Sequence, residues 1–272
     1  FITNDVSLIT FVPFAIIIMK KLNPDTDSKW MLKVIVMQTI AANLGSMLTP
    51  LGNPQNLYLY GKAGIGIAEF LKIMLPYTVC AFALLMAWIG LASMVRKRKI
   101  SHDGKTEIKQ NKGLDSAEDK AFTKRQKDPL DVSGSKWGRD RKILTQVDYS
   151  LLCIFIALFI FIGNLGRIPA FSQLLSDILT GREVVTSVIA SQVMSNVPAA
   201  ILLSGFTDHI RELVIGTNLG GLGTLIASMA SLISFKYVAK EDRSFRGRYF
   251  LEFTVANVIF LFIMMILYRL LS

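Results

Sequence analysis

A polar stretch rich in helix breakers divides two hydrophobic segments: Asn43-Leu44-Gly45-Ser46-Met47-Leu48-Thr49-Pro50-Leu51-Gly52-Asn53-Pro54-Gln55-Asn56. In hydrocarbon every backbone N–H and C=O must find a partner inside the protein, so such a break is tolerated only against protein or a wet cavity. A second stretch, Asn218-Leu219-Gly220-Gly221-Leu222-Gly223-Thr224, lies in an equally apolar setting. Shifting by 175 positions lays Asn43 on Asn218, Leu44 on Leu219, Gly45 on Gly220, Thr49 on Thr224 and Leu57 on Leu232. Two interrupted hydrophobic segments at corresponding places in two halves point to the binding site of a secondary transporter.

Composition agrees with membrane residence. The 272 residues are 52% hydrophobic with a mean hydropathy of +0.46, which predicts several spans. The net charge of +10 is local, because half of the 30 Lys and Arg fall within residues 96–142. A loop obeying the positive-inside rule accounts for this cluster. No nucleic-acid recognition fold surrounds it, so no nucleic-acid partner is expected. Cys80 and Cys153 lie far apart in apolar runs, without metal-ligand spacing, and read as packing residues. There is no secretory signal, Phe1 is not an initiator, and the chain opens inside an apolar segment. Further spans are therefore expected to precede it.

The predicted fold class is an all-α membrane protein, an inverted-repeat transporter with re-entrant hairpins and two discontinuous transmembrane helices. A first repeat covers 1–95: an apolar arm with a polar tip up to Met19, a helix over 30–42, the break, a short helix over 57–60, an interfacial helix over 68–75, and a separate span over 79–95 following Pro76. Residues 96–147 form a basic cytoplasmic linker, polar and rich in Gly, Ser and Asn. The second repeat covers 148–272: a span over 151–163, an interfacial helix over 171–179, a hairpin about Ser195, the second break, and a last span over 250–271. Ten apolar residues on either side of Ser195 are too few for two spans and suit a re-entrant hairpin. Placing the loops 20–33, 96–142 and 236–248 inside gathers the dense basic clusters on the cytoplasmic face. The two broken helices then run in opposite directions, the geometry of alternating access around a midplane site.

Four polar elements carry the candidate chemistry: the tips Thr3-Asn4-Asp5-Val6 and Ser195-Asn196-Val197-Pro198, and the two breaks. Half-helices that start at a break present free N–H groups and a positive dipole end, suited to an oxyanion. Half-helices that stop there present carbonyls, which with Asn, Ser and Thr oxygens can hold Na⁺. Asp5, the sole acid in the core of an apolar segment, is either a proton or Na⁺ site or a cap for the tip's N–H groups. No HExxH, Ser/His dyad or Cys cluster is present, so the chain does not read as an enzyme, and no cofactor beyond a coupling ion is expected.

Asn4-Asp5-Val6-Ser7-Leu8-Ile9-Thr10-Phe11-Val12-Pro13-Phe14 resembles the first hairpin of the ion transporter superfamily, which includes citrate and dicarboxylate carriers, arsenite permeases and one type of sodium/proton antiporter. Ser195-Asn196-Val197-Pro198-Ala199 resembles its second hairpin, where dicarboxylate members carry Ser-Asn-Thr. The resemblance implies that the tips touch substrate, through Thr3, Asn4, Ser195, Asn196 and Val197, with Pro54 of the first break beside them. It also implies that each tip binds a cation with its facing break. Asn4 and Asp5 would act with Asn43, Gly45, Ser46, Thr49 and Asn53, and Ser195 and Asn196 with Asn218, Gly220 and Thr224. Asp5 and Val197 replace threonine at the two tips, which makes the chain more similar to the anion-permease and arsenite-permease branch. It also implies a small inorganic or monovalent substrate. The expected function is a secondary active permease for a small anion or oxyacid in the cytoplasmic membrane, coupled to Na⁺ or H⁺. Other readings are a sodium/proton antiporter using Asp5 and a passive anion channel. The expected partners are the substrate, membrane lipid and a second copy in a homodimer.

Overall fold

The computed structural model describes residues 3–22, 28–103 and 149–272. Phe1, Ile2, the loop 23–27 and most of the expected linker, from 104 to 148, lie outside the described residues. The chain divides into two compact units, 1–89 with 157–272, and 90–156. Of the second unit, the described part is the end of one helix and the start of the next. All that follows concerns the first unit unless a helix is named across its boundary.

The described residues contain helices and no strand. In order they are α1 (Asn4–Leu22), α2 (Ser28–Gly45), a 3₁₀ turn (Ser46–Leu48), α3 (Pro54–Ala63), α4 (Ile67–Asp103), α5 (Tyr149–Leu165), α6 (Pro169–Leu179), α7 (Glu183–Met194), α8 (Asn196–Leu203), α9 (Ile210–Gly220), a second 3₁₀ turn (Leu225–Ala227), α10 (Met229–Glu241) and α11 (Phe245–Leu271). Three stretches are long and apolar enough to cross a membrane: Lys29–Leu48, Ile67–Val95 and Phe245–Leu271. Large apolar side chains such as Val79, Phe82 and Met86 on α4 and Val255 and Phe262 on α11 are more than half exposed. A soluble protein would not sustain such apolar surface, whereas lipid solvates it at no cost.

Both breaks fall where the sequence places them, and local chemistry explains each. Pro50 pushes the preceding Thr49 out of the helical region, to φ −119° and ψ 150°. Asn53 is likewise extended, and Pro54 restarts the chain as the first residue of α3, where its missing N–H does no harm. In the second break Gly223 sits at φ 110°, a backbone state that glycine alone adopts without strain. Ser228 is extended just before α10. The correspondence is close: the shift of 175 carries the last residue of α2, Gly45, onto that of α9, Gly220, and the first residue of α3, Pro54, onto that of α10, Met229.

One proline does not act as the sequence reading has it. α4 runs unbroken through Pro76, as α1 does through Pro13, so the interfacial helix expected over 68–75 and the span expected over 79–95 are one helix. An interior proline forfeits one hydrogen bond, whereas ending a helix leaves four N–H or four C=O groups to be satisfied at each terminus. In an apolar setting the single loss is the smaller cost.

Packing sorts the short helices into two groups. α1 packs on α2 and α10, while α3 packs on α8 and α9. Lys20 at the end of α1 forms an ion pair with Glu241 at the end of α10. At the end of α3, the Lys62 ammonium donates to the carbonyl of Ser204, and the Tyr58 hydroxyl lies 3.0 Å from Ser204 Oγ at the end of α8. α7 packs most intimately on α9. Gly216 faces Ser187 and Gly220 faces Ser191, a pair of small residues one helical turn apart on each helix, which lets the backbones approach closely. Beneath the breaks, Thr39 Oγ1 donates to Ser234 Oγ at 2.8 Å and lies 3.4 Å from the Tyr249 hydroxyl, joining α2, α10 and α11.

Candidate functional site

The two breaks and the two tips meet in one buried polar centre. Asn4, Asn43, Asn196 and Asn218 are 6%, 7%, 5% and 5% exposed. Asn43 ends α2 and reaches into the second half: its Nδ2 donates to Ser231 Oγ at 3.1 Å, and its Oδ1 accepts from Ser228 Oγ at 3.1 Å. Asn218 ends α9 and reaches into the first half in the same way. Its Nδ2 donates to Asn56 Oδ1 at 2.6 Å, and its Oδ1 accepts from Asn53 Nδ2 at 3.4 Å.

These four bonds form two matched pairs. The shift of 175 that lays Asn43 on Asn218 also lays Asn53 on Ser228 and Asn56 on Ser231. Each asparagine donates to the third residue of the other half's restarted helix and accepts from the residue just before that helix. The tips follow the same relation. The Asn4 backbone N–H donates to Gly52 O at 3.3 Å, and Ser195 Oγ donates to Ala227 O at 3.5 Å, with Gly52 and Ala227 again 175 positions apart.

Several of the expected site residues are brought together. Asn4 Nδ2 donates to Asn43 Oδ1 at 3.4 Å, and Ser46 Oγ donates to the Asn43 carbonyl at 2.9 Å. Asp5 is half-buried in the first turn of α1. Two of the tip's N–H groups are taken, that of Asp5 by Asn4 Oδ1 at 2.9 Å and that of Asn4 by Gly52 O; no described bond uses the Asp5 carboxylate as a cap. Thr3 uses its carbonyl to start α1, Thr49 uses its carbonyl to accept from Asn56, and Pro54 is exposed. Gly45 is exposed, with nothing within 4 Å of where a Cβ would stand. Val197 is buried beside Asn196. Asn196 accepts from Ser195 Oγ at 3.4 Å and lies against Gly221.

The backbone of Gly220 and Thr224 is held by Gln192, which sequence reasoning missed. Gln192 Nε2 donates to Gly220 O at 2.9 Å and Leu222 O at 2.8 Å, and its Oε1 accepts from Thr224 N at 2.8 Å. Asn56, Ser228 and Ser231 were missed as well, although the shift of 175 marks Ser228 and Ser231 as the counterparts of Asn53 and Asn56. Asn53 Oδ1 and Gln55 Nε2, both buried at the start of α3, make no hydrogen bond among the described residues.

Ser195 is the one non-glycine residue among those described with a positive φ, at 74° with ψ 154°. That region is nearly glycine-only and costs about 1–3 kcal/mol, a strain that persists where a side chain is needed at a defined point. Ser195→Gly is therefore expected to hold or raise thermal stability while lowering uptake by at least about tenfold, the effect of one lost hydrogen bond of about 1.4 kcal/mol. Parallel measurements of unfolding and transport check this. A fall in both would show that the serine is structural.

Helix polarity completes the geometry. α1, α3, α8 and α10 all begin at the centre, and α2, α7 and α9 all end there. The N-terminal ends bring positive dipole and spare N–H groups, and the C-terminal ends bring carbonyls.

Comparison with known proteins places the chain among membrane transporters. The chain is similar to the inner membrane protein YbiR of Escherichia coli, 30% identical over 270 residues that cover 92% of this chain and 68% of the relative. It is also similar to an uncharacterized transporter of Methanocaldococcus jannaschii, 32% identical over 247 residues that cover 86% of this chain and 66% of that protein. The chain thus spans about two thirds of the length of these curated relatives. No solved structure matches it. A family model described as citrate transporter matches residues 1–212. With paired helix breaks meeting in a buried polar centre, apolar helices fit for lipid and this match over most of its length, the chain is an integral membrane protein of the citrate transporter family.

Proposed function

We propose that the chain forms the core of a secondary active carrier that moves a small anion or oxyacid, coupled to Na⁺ or H⁺, by alternating access around this centre. The observation that carries the proposal is the reciprocal bonding of Asn43 and Asn218. It supports two inverted repeats, each with a re-entrant hairpin and a discontinuous helix, sharing one midplane site. The contacts at the helix ends support the same arrangement. α1 and α10 leave the centre together and end at the Lys20–Glu241 pair, while α3 and α8 leave it together and end at Lys62 and Ser204. Basic residues near the first pair favour a cytoplasmic location for that end and for the segment 96–147.

In this reading the substrate sits among four helix N-termini, beside Asn4, Ser195, Asn196 and the unpartnered Asn53 Oδ1 and Gln55 Nε2. Thr3, Pro54 and Val197 border it. The dipole ends favour an anion, and the neutral amides and hydroxyls orient it without fixed charge. Asp5 is the exception. Its carboxylate stands in the first turn of α1, on the residue next to Asn4, and repels an anion unless a cation or proton accompanies it. That requirement is a physical basis for coupling, and it favours a small, singly charged or neutral substrate.

Uptake of oxyanions and carboxylates, citrate among them, into proteoliposomes under imposed Na⁺ and then H⁺ gradients tests the proposal. Saturable uptake that follows one gradient supports it, while gradient-independent ohmic current would mean a channel. Asp5→Asn is expected to abolish the gradient response and leave the protein folded. An intact response in that variant would remove Asp5 from the coupling step.

A further inference from the structure

Two carbonyls freed by the second break, those of Gly220 and Leu222, are already engaged. The Gln192 side chain, one turn before the tip residue Ser195, reaches into the unwound segment and donates to Gly220 O, Leu222 O and, at 3.3 Å, Val188 O. Its Oε1 takes the Thr224 N–H, and the left-handed Gly223 wraps so closely around the amide that a Cβ there would lie 2.9 Å from Gln192 Cδ. A hard cation in this loop would use the same carbonyls. The amide offers them two N–H groups that carry partial positive charge, and those groups would repel a cation brought to the same oxygens. The first break differs. There Asn56 Nδ2 spans Met47 O and Thr49 O at 3.3 Å each, a looser hold, with the Asp5 carboxylate on the adjoining tip.

We propose that Gln192 is a tethered substitute for a cation: its amide fills the carbonyl set of the second break, so this break takes no coupling ion and coupling is confined to the first tip and break. The proposal rests on reading the chain as a gradient-driven carrier. It removes Gly220 and Thr224 from the cation-binding set and makes Gln192 a positioning residue that acts through the loop.

Glutamate at this position keeps an oxygen for the Thr224 N–H but turns a second oxygen toward two carbonyls, an arrangement that needs a cation. The test compares wild type, Gln192→Glu and Gln192→Ala as full chains in detergent at pH 8, following thermal unfolding in NaCl and in choline chloride of equal strength. Gln192→Glu is expected to show a Na⁺-dependent rise in midpoint at least about 4 °C larger than that of wild type. Gln192→Ala is expected to fall below wild type and to recover part of the loss in NaCl. Equal losses of both variants in the two salts would make Gln192 a purely structural bridge and overturn the proposal. So would a Na⁺ response in wild type that either variant abolishes. If Gln192→Glu yields no folded protein, Gln192→Ala decides by the same comparison. Because the unfolding readout needs no transport, its failure counts against Gln192 alone, whereas absent gradient-driven uptake by wild type counts against the carrier reading alone.

Discussion

Asn43→Ala is expected to destabilise the protein by about 3 kcal/mol and to cut uptake by roughly a hundredfold. Asn43 is the point where three elements are joined: the tip through Asn4, the end of α2, and the start of α10 through Ser228 and Ser231. Alanine leaves the Asn4 amide and two buried hydroxyls without their partner in a region where water does not replace it. The loss is that of several unsatisfied groups and not of one net hydrogen bond. Asn218→Ala removes the counterpart bonds to Asn53 and Asn56 and is expected to cost a similar amount. Double-mutant cycles for Asn43 with Ser231 and for Asn218 with Asn56 are expected to give coupling energies of about 1 kcal/mol each. Unfolding in detergent and proteoliposome uptake measure both effects. A variant as stable as wild type would show that the network is incidental.

Gly52→Ala is the second large effect. A Cβ on Gly52 would overlap the Ser46 carbonyl oxygen and stand 2.7 Å from the Ser46 carbonyl carbon. These are backbone atoms inside the break, so no rotamer change relieves the clash, and the loop must move. Gly52 O is also the acceptor that seats the first tip through Asn4 N. The expected result is a loss of more than about 3 kcal/mol or no recoverable protein, together with the loss of any transport. By contrast, Gly45→Ala adds a methyl in open space on a helix end and is expected to leave stability within about 0.5 kcal/mol. The pair of variants, read side by side for folded yield and midpoint, separates close packing from a general need for glycine.

Much of this architecture was legible in the sequence because helix breakers and amides are conspicuous in apolar surroundings. Asn43, Gly45, Asn218 and Gly220 fix the ends of α2 and α9, and the shift of 175 that relates them is visible without coordinates. Pro76 misled because local propensity argues for a helix end, while the cost of leaving terminal backbone groups unsatisfied argues for continuity and prevails. Pairing was the harder part. A sequence reading sets each tip against the break of its own half, as Asn4 stands against Asn43, but it does not show that Asn43 and Asn218 also bond across to the other half, a relation that depends on how the two halves dock. Gln192 was illegible for a related reason. It sits in an ordinary apolar helix, and only the folded loop shows that its amide completes the second break. Cys153, read as a packing residue, is exposed on α5, while Cys80 is half-buried against the core.

The central claim is that two oppositely oriented copies of one unit meet at the buried asparagines, so the ends tied by Lys20 and Glu241 and by Lys62 and Ser204 lie on opposite faces of the membrane. Single cysteines at Lys20, Glu241, Lys62 and Gly205, the exposed neighbour of the buried Ser204, introduced after Cys80 and Cys153 are replaced, can be labelled with a membrane-impermeant thiol reagent in intact cells and in inverted vesicles. The account predicts that positions 20 and 241 react only in inverted vesicles and positions 62 and 205 only in intact cells. Labelling of all four from the same face would contradict it.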